Sequence, residues 1–317
     1  MRAGTHALTL LSVPLNVHVL TALAEEPKAL IDLRRAAGSP PQTTMRGHLR
    51  YLTEIGAIER LRQNSFPGNV DFELCRPGQD LLDVASVLRD WLEEAPEGAL
   101  GVGSPAAKSS IKALVEGWSS TIIRALAARP LSLTELNRLI SGINYPSLER
   151  RLGAMRLAGQ INAIPGRNRG TPYGVSDWLR QAIAPLAAAT SWERRHLREQ
   201  TAPITPIDAE AALLLAVPMV HLDPSLTGTC RLAIEVRAAD EPRLAGALVD
   251  VRAGQVVSCV SRLSGEASGW ASGTGGDWLH ALIAGDTDQL EIGGDCDLAV
   301  SLLEGLHRTL FRARQRH

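Results

Sequence analysis

The strongest constraint on this chain is its similarity to itself. Shifted by 103 positions, residues 17–61 align with residues 120–164 without a gap. Ala22, Leu23, Ala24, Pro27, Leu33, Arg35, Leu49, Gly56 and Ile58 then meet identical residues at Ala125, Leu126, Ala127, Pro130, Leu136, Arg138, Leu152, Gly159 and Ile161. Leu20, Leu30 and Met45 meet the apolar Ile123, Leu133 and Leu148. Agreement at core positions and helix stops points to a duplicated unit, so the fold of one copy predicts that of the other. At 317 residues the chain has room for two or three domains of about 100 residues each. The expected division is 1–94 and 118–200 for the two copies, 95–117 for a linker rich in Gly, Ala, Pro and Ser, and 201–317 for a third domain.

Each copy reads as three helices and a hairpin. In the second copy, Ser132 and Glu135 have capping-box spacing. Asn144 can cap the next helix, and Pro146 is tolerated in its first turn. Leu148, Leu152 and Met155 recur at helical spacing as one buried stripe, and Gly159 stops the helix. A glycine-bearing hairpin with a basic tip follows, as it does after Gly56 in the first copy. Two helices joined by a short turn, the second bearing arginines and followed by a hairpin, describe a winged helix-turn-helix. A helix fits the major groove, and the wing reaches the phosphates or minor groove beside it. A long amphipathic helix follows each unit, and its apolar face must bury against the other repeat or a second chain in a homodimer.

Net charge is −1, but it is unevenly spread: −2 over residues 1–117, +8 over 118–198 and −7 over 199–317. A pair of arginines on a helix is by itself a solvated surface. Arg150 and Arg151 stand second in a helix-turn-helix and ahead of a basic hairpin, which turns the expectation toward double-stranded DNA. Tyr145, Ser147, Arg150 and Arg151 are the candidates for the major groove, because an arginine fork spans the guanine O6 and N7. Arg167, Asn168 and Arg169 are the wing-tip candidates for the backbone or minor groove. The first copy offers Gln42, Thr43, Thr44, Arg46 and His48, with Gly47 and Arg50 nearby, a more neutral set expected to be the weaker reader of two unequal half-sites.

The segment 117–161, followed by a turn and "TPYGVSDWLRQAIAPL", resembles the HxlR branch of the MarR-like winged-helix transcription regulators. Trp118 opening the first helix, the paired leucines of the recognition helix, its glycine stop and Tyr173 of the wing fall in that family's order over about 80 residues. The first copy resembles it more weakly, with Phe72 in place of the wing tyrosine. What the resemblance implies is DNA binding and transcription regulation; the cytoplasm is the location expected for a chain with no apolar span or leader.

From about Pro206 the pattern changes to an apolar helix, three strand-like runs, a helix ending at Gly285, the run "LEIGGD" and a final amphipathic helix. This order resembles the sterol carrier protein type-two fold. The resemblance implies an apolar cavity for a hydrophobic small-molecule effector, with Trp270 and Trp278 as candidate wall residues. The fold class expected for the whole chain is mainly α with α+β: two winged helix-turn-helix domains followed by a sterol-carrier-like α+β domain.

Other chemistry finds little support. The eight histidines show no metal-ligand spacing, and "SGTGGDW" lacks the lysine of a phosphate loop. Cys75, Cys230, Cys259 and Cys296 form no CxxC pair. No enzyme activity, metal or cofactor is expected, and no membrane span or leader. Two other readings stay open. The chain is a carrier that sequesters a hydrophobic compound, with its winged helices as scaffold, or one repeat reads DNA while the other only dimerises.

Overall fold

Apolar residues at helical spacing, broken by left-handed glycines, divide the N-terminal two thirds into two successions of elements. The first is α1 (Thr5–Leu11), α2 (Pro14–Glu25), β1 (Lys28–Ala29), α3 (Leu30–Ala36), α4 (Gln42–Glu54), β2 (Ile58–Arg62), β3 (Val70–Leu74) and α5 (Arg76–Glu93). The second is α6 (Pro105–Val115), α7 (Gly117–Ala128), β4 (Leu131–Ser132), α8 (Leu133–Leu139), α9 (Tyr145–Leu157), β5 (Ile161–Ala163), β6 (Pro172–Val175), α10 (Asp177–Gln181) and α11 (Ile183–His196). Each succession folds its strands into a three-stranded sheet with the last strand central, β1-β3-β2 and β4-β6-β5. This computed structural model describes residues 3–62, 70–115, 117–165, 170–197, 201–238 and 241–311; Arg167, Asn168 and Arg169 lie outside them.

Burial follows the sequence periodicity. Met45, Leu49 and Leu52 of α4 and Leu148, Leu152 and Met155 of α9 are all buried. Gly56 and Gly159 stand just past these helices at φ 71° and 69°, where a side chain would be strained. The capping box forms as spaced, Ser132 accepting from the Glu135 amide while Glu135 accepts from Ser132, and Asn144 caps α9 through the Ser147 amide. The Ser132 amide and Arg129 hold the Glu135 carboxyl down at about 2.

The stretch 95–117, expected as a linker, contains α6. The Ala107 amide donates to Ser104 Oγ at its start, and Ala107, Ile111, Leu114 and Val115 are buried. The Gly and Pro residues that suggested a linker end at Pro105, after which the apolar spacing is helical. At 103 positions, α6 is the counterpart of α1: Ala7, Leu8, Leu10 and Leu11 meet Ser110, Ile111, Ala113 and Leu114, every one buried.

The faces of α5 and α11 bury against each other, so the other half of the same chain covers them. Ile58 pairs with Leu74 and Ile161 with Val175, so the second hairpin is two residues shorter and later residues correspond at a spacing of 101. At that spacing Trp91 matches Trp192, and Pro77 matches Trp178. Trp91 Nε1 donates to the Trp178 carbonyl at 2.8 Å, and Trp192 Nε1 donates to the Pro77 carbonyl at 2.8 Å. The contact is therefore reciprocal, as at a two-fold interface. Trp178 adds a bond of its own to the Trp91 carbonyl at 2.7 Å, and the two indoles stack 4.7 Å apart at 6°. At the other end Asp80 accepts from Arg195 and His196 across the seam and from Arg76 within α5. Glu193 of α11 accepts from the Gly4 and Ala7 amides, satisfying the start of α1.

The C-terminal third runs α12 (Pro206–Ala216), β7 (Gly228–Ala238), β8 (Glu241–Arg252), β9 (Gln255–Val260), β10 (Gly269–Thr274), α13 (Gly275–Ala284), β11 (Glu291–Gly294) and α14 (Cys296–Phe311). Its five strands are ordered β11-β10-β7-β8-β9, with β10 parallel to β7 and the other pairs antiparallel. Leu232, Ile234 and Val236 of β7 and Ala245, Ala247 and Val249 of β8 are buried, with α12, α13 and α14 packed against the sheet. Among the described residues no single helix is long and apolar enough to cross a membrane.

Removing one indole from the seam leaves a cavity and an orphaned carbonyl. Trp91→Ala and Trp192→Ala are each expected to lower the unfolding free energy by about 3–5 kcal/mol, measured by urea denaturation.

Candidate nucleic-acid interface

With Met45, Leu49 and Leu52 turned inward, α4 must present the residues between them to solvent. Gln42, Thr43, Thr44 and Arg46 are all exposed. Thr43, Arg46, Gly47 and Arg50 line a groove whose other wall is the hairpin, with Arg60 of β2 and Val70 and Phe72 of β3. Arg60 pairs across the strands with Phe72, and its guanidinium carbon lies 5.8 Å from the ring centroid. Arg50 has an exposed partner, Glu54, at 3.7 Å, a contact weak enough to be exchanged for a phosphate. Three guanidinium groups thus line one groove between a helix and a wing, a placement suited to a polyanionic backbone.

His48 is not part of that surface. Its Nδ1 lies 2.7 Å from Asn16 Oδ1, and Asn16, buried, donates to the Leu10 carbonyl. The Asn16 oxygen can only accept, so His48 carries its proton on Nδ1. Burial pulls His48 below the ordinary histidine value. The contact ties α4 to α2 and leaves His48 half-buried. Nearby, Tyr51 stacks on His6 of α1 and bonds to it.

The second unit holds an equivalent contact with different chemistry. Arg151 Nη1 donates to Ser119 Oγ at 2.9 Å, and these residues stand 103 positions after His48 and Asn16. Arg151 is thus tied to α7, and both Arg150 and Arg151 are exposed. Ser147, Arg150 and Arg151 line a polar groove closed on its far side by Ser109 and Lys112 of α6. Tyr145, 45% exposed, stands at the start of the helix. Toward the wing, Pro146, Glu149, Gly153 and Ala163 occupy the positions held in the first unit by Thr43, Arg46, Arg50 and Arg60. At these four positions the second unit carries no cation.

Several arginines of the middle segment are structural. Arg124 pairs with Asp208, Arg195 with Asp80 and Arg129 with Glu135, and Arg180 donates to the Leu214 and Leu215 carbonyls at the end of α12. Sequence reasoning missed Arg60. Its signal was the strand alternation that sets it cross-strand from Phe72, beside the helix.

Trp278 and Trp270 part company. Trp278 is buried, donates from Nε1 to the Ala233 carbonyl at 2.8 Å, and borders an apolar cavity. Trp270 is 36% exposed and lies against Gly293, where a Cβ would collide with its indole. Its expected place in a cavity wall is corrected, because strand alternation puts it on the opposite face of the sheet from Ala271.

A helix-turn-helix with a flanking hairpin and a basic groove is the class of unit through which regulators engage DNA. Residues 13–98 match the model of the HxlR-like helix-turn-helix family. Among solved structures, the chain is similar to the "Putative transcriptional regulator ytfH from Salmonella typhimurium", with 28% identity over 25% of this chain and 70% of that one and a TM-score of 0.23. A search of curated proteins finds no match.

Because the folded value of His48 lies below its ordinary 6.5, the unfolded chain binds this proton more readily. The His48 contribution is fully present above about pH 6.5 and is lost as pH falls from there through the lower folded value. Unfolding free energy measured from pH 8 to pH 5 should fall at the acid end, and His48→Gln should make that fall smaller.

Proposed function

We propose that the chain is a DNA-binding transcription regulator in which the second unit is a second winged helix and the two form a pseudo-dimer within one polypeptide. The observation that carries this reading is the Arg46, Arg50 and Arg60 groove, located inside the segment that matches the HxlR-like family. The reciprocal tryptophan bonds support the pseudo-dimer, since a two-fold seam is how helix-turn-helix proteins present two reading helices to successive half-sites.

In this reading the half-sites are unequal. The first unit presents guanidinium groups to the groove beside its wing and is the stronger contact, the reverse of what segmental charge suggested. Arg150, with Arg151 and Lys112 beside it, holds the second unit to DNA. A hydrophobic small molecule, bound where the C-terminal unit meets the rest, controls the affinity by binding two conformations unequally. The C-terminal unit is read as sterol-carrier-like, and the protein as a cytoplasmic one without enzyme activity or cofactor. The alternative, a carrier for that small molecule, draws support from the apolar cavity at Trp278.

Selection of binding sites from random DNA separates the readings: a recovered motif supports the regulator, and no motif at modest salt leaves the carrier. On the selected site, Arg50→Ala should weaken binding by about 5- to 100-fold, and Arg60→Ala should lower the slope of log affinity against log salt by about one. Wild-type affinity in an Arg46→Ala, Arg50→Ala, Arg60→Ala triple variant would remove the first unit from the interface.

A further inference from the structure

The five-stranded sheet of the C-terminal third has two faces, and its helices pack on one. Strand alternation turns Leu232, Ile234 and Val236 of β7 into that core, so Arg231, Ala233 and Glu235 lie on the opposite face. Across the strands this second face carries Leu244 and Leu248 of β8, Val260 of β9 and Trp270 of β10. Leu244 is 60% exposed and Val260 40%, an apolar surface that a monomer leaves in water. Residues 261–268 cross the half of the face around Arg231. Leu263 lies against Gly246, Gly265 lies against Leu248, and Arg231 donates to the Gly265 carbonyl at 2.7 Å. The half around Glu235 and Leu244 stays open, both residues being exposed.

This face is its own complement. Ala233 and Gly246 pair at its centre, with Arg231 two residues away along β7 on one side and Glu235 two residues away on the other. Neither charge has an ion-pair partner among the described residues. A two-fold axis between two stacked sheets, perpendicular to β7 and passing over Ala233, sets Arg231 over the second copy's Glu235 and Glu235 over the second copy's Arg231. The same rotation lays each 261–268 loop over the open half opposite it, where Leu244 meets it. Five strands about 4.8 Å apart, rising about 3.3 Å per residue, present roughly 600 Å² in projection. That is close to the ~800 Å² of accessible surface that each partner of a standard interface buries. Reciprocity of charge is what a second copy requires and an unrelated partner does not. We infer that this sheet face is the interface of a homodimer, joined by two reciprocal Arg231–Glu235 pairs about an axis over Ala233. On the regulator reading above such a dimer joins two pseudo-dimers, but the interface does not rest on that reading.

Sedimentation equilibrium of the full chain, without DNA, tests this. The wild-type chain is expected to dimerise with a dissociation constant of about 10 µM or less. Leu244→Arg should weaken association about 100-fold, since it puts a charge where an apolar anchor was. Glu235→Arg should weaken it about ten-fold or more by setting like charges opposite each other. Arg231→Glu combined with Glu235→Arg should bring it back to within about a few-fold of wild type, because each pair is then reversed as a whole. A wild-type chain still monomeric at about 100 µM would overturn the inference. So would a dimer that Leu244→Arg and Glu235→Arg leave unchanged, or a folded double variant no tighter than Glu235→Arg alone. Leu244 and Glu235 are exposed, so the wild-type and single-variant arms decide the matter even if the double variant fails to fold. Since DNA takes no part in the measurement, its failure is distinct from failure of the DNA-binding reading.

Discussion

The arrangement of the N-terminal two thirds depends on the seam between α5 and α10–α11. Each helix is amphipathic and unstable alone, since helices of this size draw most of their stability from tertiary packing. Trp91 and Trp192, which correspond in the two units, each donate to the first turn of the opposite helix, so the geometry that satisfies one satisfies the other. These bonds set the relative position of α4 and α9, the helices that carry the candidate DNA contacts. Separate chains achieve this by dimerising; a single chain does so at an effective concentration independent of its own expression.

Covalent linkage also releases the two units from being identical. In a symmetric dimer a substitution on the reading helix appears twice. Here Arg46, Arg50 and Arg60 on one side correspond to Glu149, Gly153 and Ala163 on the other, while Arg151 replaces His48 in the contact with α2 or α7. The second unit has also acquired contacts that the first lacks. Arg124 and Arg180 bind α12, the first at its start and the second at its C-terminal carbonyls, where a cation complements the helix dipole. The second unit thus stands between the first and the C-terminal third.

Much of this was legible in the sequence. The spacing of Leu148, Leu152 and Met155, the Ser132–Glu135 box and the stops at Gly56 and Gly159 are local signals, decided within a turn or two of chain. The sheet-then-helix order of the last third is equally local. The linker expectation failed at α6 because composition was averaged over a stretch whose second half has helical spacing. The contact of His48 with Asn16 was not legible, because Asn16 lies 32 residues away.

What the sequence by itself determined is the set of elements and their repetition, because hydrophobic period, caps and glycine stops act over short range. Tertiary structure decided which cations share one open surface. An arginine reads the same in a sequence whether it meets solvent, a carboxylate or a row of carbonyls. Only packing showed that Arg124, Arg151, Arg180 and Arg195 have partners within the protein, while Arg46, Arg50 and Arg60 share one open groove. Charge counted along the chain is a sum over residues, whereas a binding surface is a property of the few that distant contacts leave facing outward together.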